Sequence, residues 1–309
     1  MIRTALFLLF TLLIVPITVY LYGSPLTGEQ VNVLSKLVRM YALMAGICFL
    51  TGEITRNYSQ VDKLWSIVPI LYAWLATEWA GWPPRMLLMS LLITLWGGRL
   101  TFNFARRGGY TWPLWGGEED YRWAVLRAKP GLNKPLIWSL FNLLFICYYQ
   151  MGLILLFTLP VVAAMSHSTK PLGAWDGILS ALFLAFLVLE TVADQQQWNY
   201  QNRKKAGIES GKGFLDRGLW GIVRHPNYAS EQAIWSLIYG FSVVSSGQWI
   251  NWSIGGCLLL LLLFKGSSDF SEEISAKKYP EYARYQQTVG RFFPQLSRSK
   301  RVVSGEISR

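Results

Sequence analysis

The sequence predicts an all-α fold: a polytopic helical membrane bundle with about seven to eight transmembrane helices. Three observations carry that expectation. The 309 residues are 52% hydrophobic and 15% aromatic but only 15% charged, which is rich for a soluble protein. The apolar residues fall into eight long, nearly charge-free blocks. Lys and Arg crowd into a few of the segments between them.

Taken in order, the blocks are 4–22, 37–51, 64–80, 86–104, 136–165, 177–193, 231–247 and 249–264. Several approach the roughly 20 residues a helix needs to cross hydrocarbon. Block 4–22 could be a signal peptide, but its apolar run is long and no small-x-small cleavage site follows Tyr22, so it reads as a first membrane helix. Block 86–104 contains Arg99, which either snorkels to the membrane surface or faces a cavity. Block 136–165 is long and holds Pro160, so a tilt or kink is expected. Blocks 177–193 and 249–264 are short for spans. Pro226 reads as the first residue of the helix that enters block 231–247, where its missing N–H costs nothing.

The net charge is +11 and unevenly placed. Segments 105–134 and 195–230 carry six Lys/Arg each and the tail from 265 carries nine, so 21 of the 29 basic residues lie there. An eight-span path with both termini inside puts all three segments in the cytoplasm, as the positive-inside rule asks. The expected location is a bacterial inner membrane or the endoplasmic reticulum, which this bias does not separate. Anionic lipid explains the basic charge; nucleic acid is excluded as a partner because no recognition module is visible. Cys48, Cys147 and Cys257 lie in apolar blocks without spaced partners and read as small buried hydrophobes. With two histidines and no Cys cluster, no protein-ligated metal is expected.

Two zones follow. Residues 1–104 form N-terminal spans with short loops and a possible substrate cavity. Residues 105–296 hold most of the polar chemistry, with a short amphipathic helix around Tyr282, Tyr285 and Val289, and residues 297–309 read as a basic disordered tail. The densest polar stretch is Arg224-His225-Pro226-Asn227-Tyr228, with Glu231 behind it. Asn227 and Glu231, four apart, share one face of a first helical turn. Glu190 and Asp194 sit four apart at the end of an apolar block; an unpaired carboxylate there is costly and should face a polar cavity or a basic partner. The run Glu118-Glu119-Asp120 reads as a solvated loop, and Arg203-Lys204-Lys205 as lipid contact or a site for a cofactor phosphate. No G-x-G-x-x-G, Walker, G-x-S-x-G or H-E-x-x-H pattern is present, so any cofactor site must be built from helix ends and loops.

The Arg-His-Pro-Asn-Tyr segment, with Glu231 behind and Glu190 and Asp194 ahead, resembles the steroid 5-alpha-reductase-like membrane family, and more closely its DUF1295 branch. Supporting pieces are Asp62-Lys63-Leu64-Trp65, the Arg99 to Asn103 segment, Glu119-Asp120-Tyr121-Arg122 and Tyr282 to Pro294, so the similarity spans 60–295. Isoprenylcysteine and phospholipid methyltransferases share an Arg-His-Pro-x-Tyr segment and a later Glu-Glu pair, here Glu272-Glu273. The resemblance implies NADPH bound from the cytoplasm by the C-terminal half. By motif match the pocket would draw on Glu190, Asp194, Arg224, His225, Asn227, Tyr228, Glu231 and Glu272. The reductase pattern often has Asn where this chain has Glu190, and its last span uses Arg, His and Tyr where this chain has Lys265, Asp269 and Glu272. Glu53, Tyr72 and Glu78 are candidates for the family's substrate-polarising pair.

Two enzymatic readings and one other remain open. The first is NADPH-dependent reduction of an activated C=C bond in a lipophilic substrate. The second is methyl transfer from S-adenosylmethionine to a lipid or prenylated substrate. The third is a non-enzymatic transporter or scaffold. Oligomeric state is not indicated.

Overall fold

A computed structural model describes residues 2–23, 25–167, 170–209 and 212–295. The basic tail expected over 297–309 lies outside the described residues. The chain opens with α1 (Ile2–Tyr22), α2 (Gly28–Thr55), the short α3 (Gln60–Leu64), α4 (Val68–Trp79) and α5 (Pro84–Ala105). After α6 (Tyr121–Arg127), one rod comprises α7 (Pro135–Phe141), a π-helical stretch (Asn142–Tyr149), α8 (Gln150–Thr158) and α9 (Pro160–Ala163). Then come α10 (Ala174–Lys205), α11 (Leu219–Ile222), α12 (Pro226–Ser246), α13 (Ile254–Lys278) and α14 (Tyr282–Thr288). No strand occurs among the described residues; an isolated parallel bridge joins Val223 and Gly290.

The termini follow local chemistry. Thr27 caps α2 in a capping box with Gln30. Pro84, Pro135 and Pro226 each open a helix, where a missing N–H is harmless. Gly247 ends α12 with φ at 74°, a left-handed position that favours glycine. In the rod, the chain tightens at Leu159, whose N–H bonds Leu156 O at 3.3 Å, because Pro160 has no N–H to continue the ladder.

Long segments alternate in direction between two ends. At one end the buried Arg85 of α5 binds Asp176 of α10 at 2.7 Å, Gln30 of α2 reaches Val162 O at 3.2 Å, and Ser245 of α12 reaches Ala164 O at 2.9 Å. At the other, polar end lie the C-termini of α2, α5, α10 and α13 and the N-terminus of α12. There Asn57, just past α2, donates to Gly117 O at 3.0 Å, and Arg99 of α5 binds Glu190 of α10.

Five helical segments are long and apolar enough to cross a membrane: α2, α5, the 135–163 rod, α10 and α13. The expected count of seven or eight is not reached by that measure. With its 12 residues α4 rises only about 18 Å, and α12 spends its first turns on Asn227, Glu231 and Gln232. Conversely, the short blocks 177–193 and 249–264 belong to helices of 32 and 25 residues. The apolar run ended where charge began, while the helix continued into polar sequence.

The core is packed tightly enough to restrict size. A Cβ on Gly256 of α13 would lie 2.1 Å from the backbone carbonyl of Leu156 in α8. Backbone cannot retreat as a flexible side chain can, so Gly256→Ala is expected to cost about 1–3 kcal/mol. Thermal unfolding in detergent checks this, with Gly177→Ala, which meets nothing within 4 Å, staying near wild type.

Candidate active site

The four polar clusters of the sequence meet around one cavity of about 1000 Å³ at the polar end. Its polar face comes from α10 and the start of α12. Apolar side chains line it too, with Leu8, Leu100, Phe145, Leu263 and Phe264 among them. That combination of apolar lining and a few placed polar groups suits a ligand with both characters.

The buried part of the polar face is a carboxylate cluster. Arg99 of α5 reaches Glu190 Oε1 and Asp194 Oδ2, each at 2.6 Å. Asn103, one turn further along α5, donates to Asp194 Oδ2 at 2.8 Å, and Asn227 of α12 donates to Oδ1 at 3.3 Å. Glu231 is fixed between two indoles: Trp96 donates at 2.7 Å and Trp235 at 3.2 Å. Those two rings pack edge to face, 4.8 Å apart. Arg99 itself stays behind the cavity wall and orients the carboxylates that line it.

One stripe of α10 then runs from the buried cluster to the surface: Glu190, Asp194, Gln197, Gln201, Lys204 and Lys205 all line the cavity. The spacings of four, three, four and three keep the first five on one helical face. Burial falls along the stripe, from buried Glu190 to exposed Lys205, over about 22 Å of helix. Two acceptors in the stripe, Glu190 Oε2 and Gln197 Oε1, are buried without a hydrogen-bond partner among the described residues.

Lys204, Lys205 and Lys278 also line the cavity, with Lys205 and Lys278 exposed, whereas Arg107 lies 3.9 Å from Asp194 and Arg122 is paired with Asp120. Lys204 donates to Gly213 O at 2.5 Å and to the Tyr279 hydroxyl at 2.9 Å. Burial pushes the Tyr279 phenol up, but the Lys204 hydrogen bond and the charges of Lys204 and Lys278 outweigh it and hold it below the usual range. Phe214 packs against Tyr279, Tyr282 and Tyr285, ring centroids 5.0–5.9 Å apart. Burial, helped by Glu272, pushes Tyr282 up to about 12.

The Arg224-His225 pair does two things. Both side chains line the cavity, and the Arg224 guanidinium and His225 Nε2 are engaged in a clamp. Arg224 Nε and His225 Nε2 meet Glu272 Oε1 at 2.8 and 2.9 Å. Gln286 donates to Glu272 Oε2 at 2.7 Å. Arg224 also donates to Gln286 O and Val289 O, and the backbone N–H groups of Arg224 and His225 donate to Gly290 O and Arg291 O. Together these contacts lash the segment from α14 to Arg291 across the entrance of α12.

Seven of the eight residues expected at a cofactor site therefore line this cavity: Glu190, Asp194, Arg224, His225, Asn227, Tyr228 and Glu231. Glu272 does not; it is the acceptor that organises the clamp. None of the substrate-polarising candidates reaches the cavity. Glu53 accepts from Asn142 at 2.9 Å, Tyr72 is fully buried in the core, and Glu78 is exposed. Of the acidic run 118–120, expected as a solvated loop, Glu118 is exposed while the other two are engaged. Glu119 accepts from Tyr58 N at 2.9 Å, and Asp120 caps α6 and grips Arg122 at 2.8 and 2.9 Å. Burial pushes the Asp120 carboxyl up, but Arg122 more than reverses this and holds it below the usual carboxylate range.

Sequence reasoning missed Trp96 and Trp235, whose indole N–H groups fix Glu231 from two helices. It also missed Gln201. Its helical spacing from Asp194 was a readable signal; that of the tryptophans was not, because each sits in an ordinary apolar run.

An all-helical bundle with apolar helices of membrane length, and a polar cavity at one end, defines the class. Within it, residues 48–289 match the family described as Protein of unknown function (DUF1295), and the chain belongs to that family. Over 266 residues it is 38% identical to an uncharacterised protein of Schizosaccharomyces pombe (strain 972), covering 79% of this chain and 75% of that one. No solved structure matches it. The resemblance drawn from the Arg-His-Pro-Asn-Tyr segment thus holds at the level of this family.

Proposed function

We propose that this chain is an integral-membrane oxidoreductase that takes NADPH and reduces an activated C=C bond in a lipophilic substrate, with its cofactor site on the cytoplasmic side. The graded stripe along α10 carries the reading. Cations at the outer end suit the pyrophosphate and the 2′-phosphate. The amides of Gln197 and Gln201 further in suit amide and hydroxyl groups, and buried carboxylates suit a ring that gains positive charge on giving up hydride. A bound dihydronicotinamide supplies that hydride; the protein orients it and excludes water. The apolar lining receives the substrate. Asn227 and Arg99 hold Asp194, and the two indoles hold Glu231, so the ring end meets a rigid surface.

S-adenosylmethionine shares the affinity of a cation for buried carboxylates, but it carries no phosphate for Lys204, Lys205 and Lys278. Ligand-dependent thermal stabilisation of the detergent-purified protein separates the two. NADPH at a hundred times its Kd is expected to add about 2.7 kcal/mol of apparent stability, and Glu231→Ala to abolish the shift. A shift with S-adenosylmethionine alone would transfer the chain to the methyltransferases. No shift with either nucleotide would sink both enzymatic readings.

A further inference from the structure

Gln150 opens α8, near the middle of a 29-residue rod long enough to cross a membrane. Its neighbours Tyr149 and Met151 are fully buried, and Gln150 itself is 7% exposed and lines the cavity. An amide at that depth needs partners, because hydrocarbon supplies none. Asn142 and Thr158 of the same rod have them: Asn142 donates to Glu53 at 2.9 Å and Thr158 to Ile154 O at 2.8 Å. Asp194, Arg224, His225 and Glu231, buried polar groups on the same cavity, are partnered as well. The Gln150 carboxamide makes no hydrogen bond among the described residues. Nor are its amide atoms sealed in; both keep accessible surface.

The backbone explains how this side chain comes to face the cavity. Phe141, Phe145 and Gln150 all line it. In an α-helix residues five apart point about 140° away from each other, so Phe145 and Gln150 would face different ways. Residues Asn142–Tyr149 are instead π-helical. The i→i+5 pairing of that wider turn brings residues four and five apart toward one face. Phe145 stacks on Phe141 and on Tyr149 in the same register, with centroids 5.0 and 5.1 Å apart. The π-helical stretch thus sets one amide among apolar lining residues that include Leu8, Phe145 and Leu263.

We propose that Gln150 is the group by which the cavity recognises its lipophilic ligand: the carboxamide donates an Nε2–H hydrogen bond to a carbonyl oxygen on an otherwise apolar molecule. That the oxygen belongs to the carbonyl conjugated with the reducible C=C bond rests on the reductase reading above. With no partner in the protein, the amide is free to turn its donors to the ligand. A ligand that lacks the oxygen displaces water from the amide and returns nothing, which is costly in an apolar site. Gln150 therefore selects for the oxygen, and the apolar lining accepts the skeleton.

Equilibrium binding to the purified full chain in lipid nanodiscs, without nucleotide, tests this with two matched pairs. One is cholest-4-en-3-one against cholest-4-ene; the other is octadec-3-en-2-one against octadec-2-ene. In at least one pair the wild type should bind the ketone about tenfold more tightly than the alkene. Gln150→Met should remove that preference and bind the alkene at least as well. A wild type that prefers the ketone in neither pair overturns the proposal, as does a preference that survives in Gln150→Met. Thermal unfolding without ligand checks the variant itself. Gln150→Met removes a buried amide that has no protein partner, so its midpoint should be no lower than that of wild type. A lower midpoint means that the amide serves the fold, and overturns the proposal. NADPH-dependent stabilisation, measured alongside, separates the two readings. A ketone preference that depends on Gln150 in a chain that binds no NADPH keeps the recognition and removes the reductase reading. NADPH binding without such a preference does the reverse.

Discussion

Arg99→Met is expected to lower the stability of the detergent-solubilised protein by about 3–5 kcal/mol, the usual cost of leaving a buried charge without its partner. Arg99 touches Asp194 and Glu190 at 2.6 Å with only 12% of its side chain exposed, so little water can replace it. The packing lost is small because Met fills most of the aliphatic stem. The effect is therefore electrostatic, and it has a signature. Asp194→Asn in the Arg99→Met background should recover part of the loss, because the stranded charge is gone. Thermal or denaturant unfolding of wild type, Arg99→Met, Asp194→Asn and the double variant decides the matter. A fully additive double variant would show that Arg99 and Asp194 are not coupled.

Arg224→Met is expected to produce a loss of similar size, about 3–5 kcal/mol, but localised at the other side of the cavity. Arg224 is 8% exposed and binds both oxygens of Glu272. Its Nη1 also closes the C-terminal end of α14 through Gln286 O and Val289 O. Without it Glu272 keeps Gln286, His225 and a longer contact to Arg291 at 3.5 Å, and the carbonyls of Gln286 and Val289 lose their guanidinium donor. Limited proteolysis should find new cleavage between residues 279 and 292 in Arg224→Met. The Arg99→Met protein should be cut there no faster than wild type at matched fraction folded. Cleavage equal in both would mean that the strap reports global unfolding instead of its own clamp.

These two expectations divide along the line that separates what could be read in the chain from what could not. That Glu190 and Asp194 need a basic partner followed from their place at the end of an apolar block, because a lone carboxylate in hydrocarbon is costly. That the partner is Arg99, 91 residues from Glu190 and 95 from Asp194, is a matter of how α5 packs against α10. Equally, Arg224, His225 and Glu272 stood out as polar residues near helix ends. Their chemistry was assigned to a cofactor, yet two of them spend polar atoms on the third, which lies outside the cavity wall. A residue type and a register cannot say which way a guanidinium points.

The helices were legible for a simple reason. Hydrophobic blocks, Pro at a first turn and Gly at a last one act within a few residues of themselves, so the chain carries that information locally. Helix ends were less legible where polar sequence continued a helix, as in α10. By itself, then, the sequence determined an all-helical, membrane-type chain, the start of α12 at Pro226, and the set of polar clusters that had to find partners. Only the tertiary structure decided that those clusters share one cavity and that two tryptophans from different helices hold Glu231. Contacts between residues tens of positions apart depend on packing angles and side-chain directions. No local pattern encodes these.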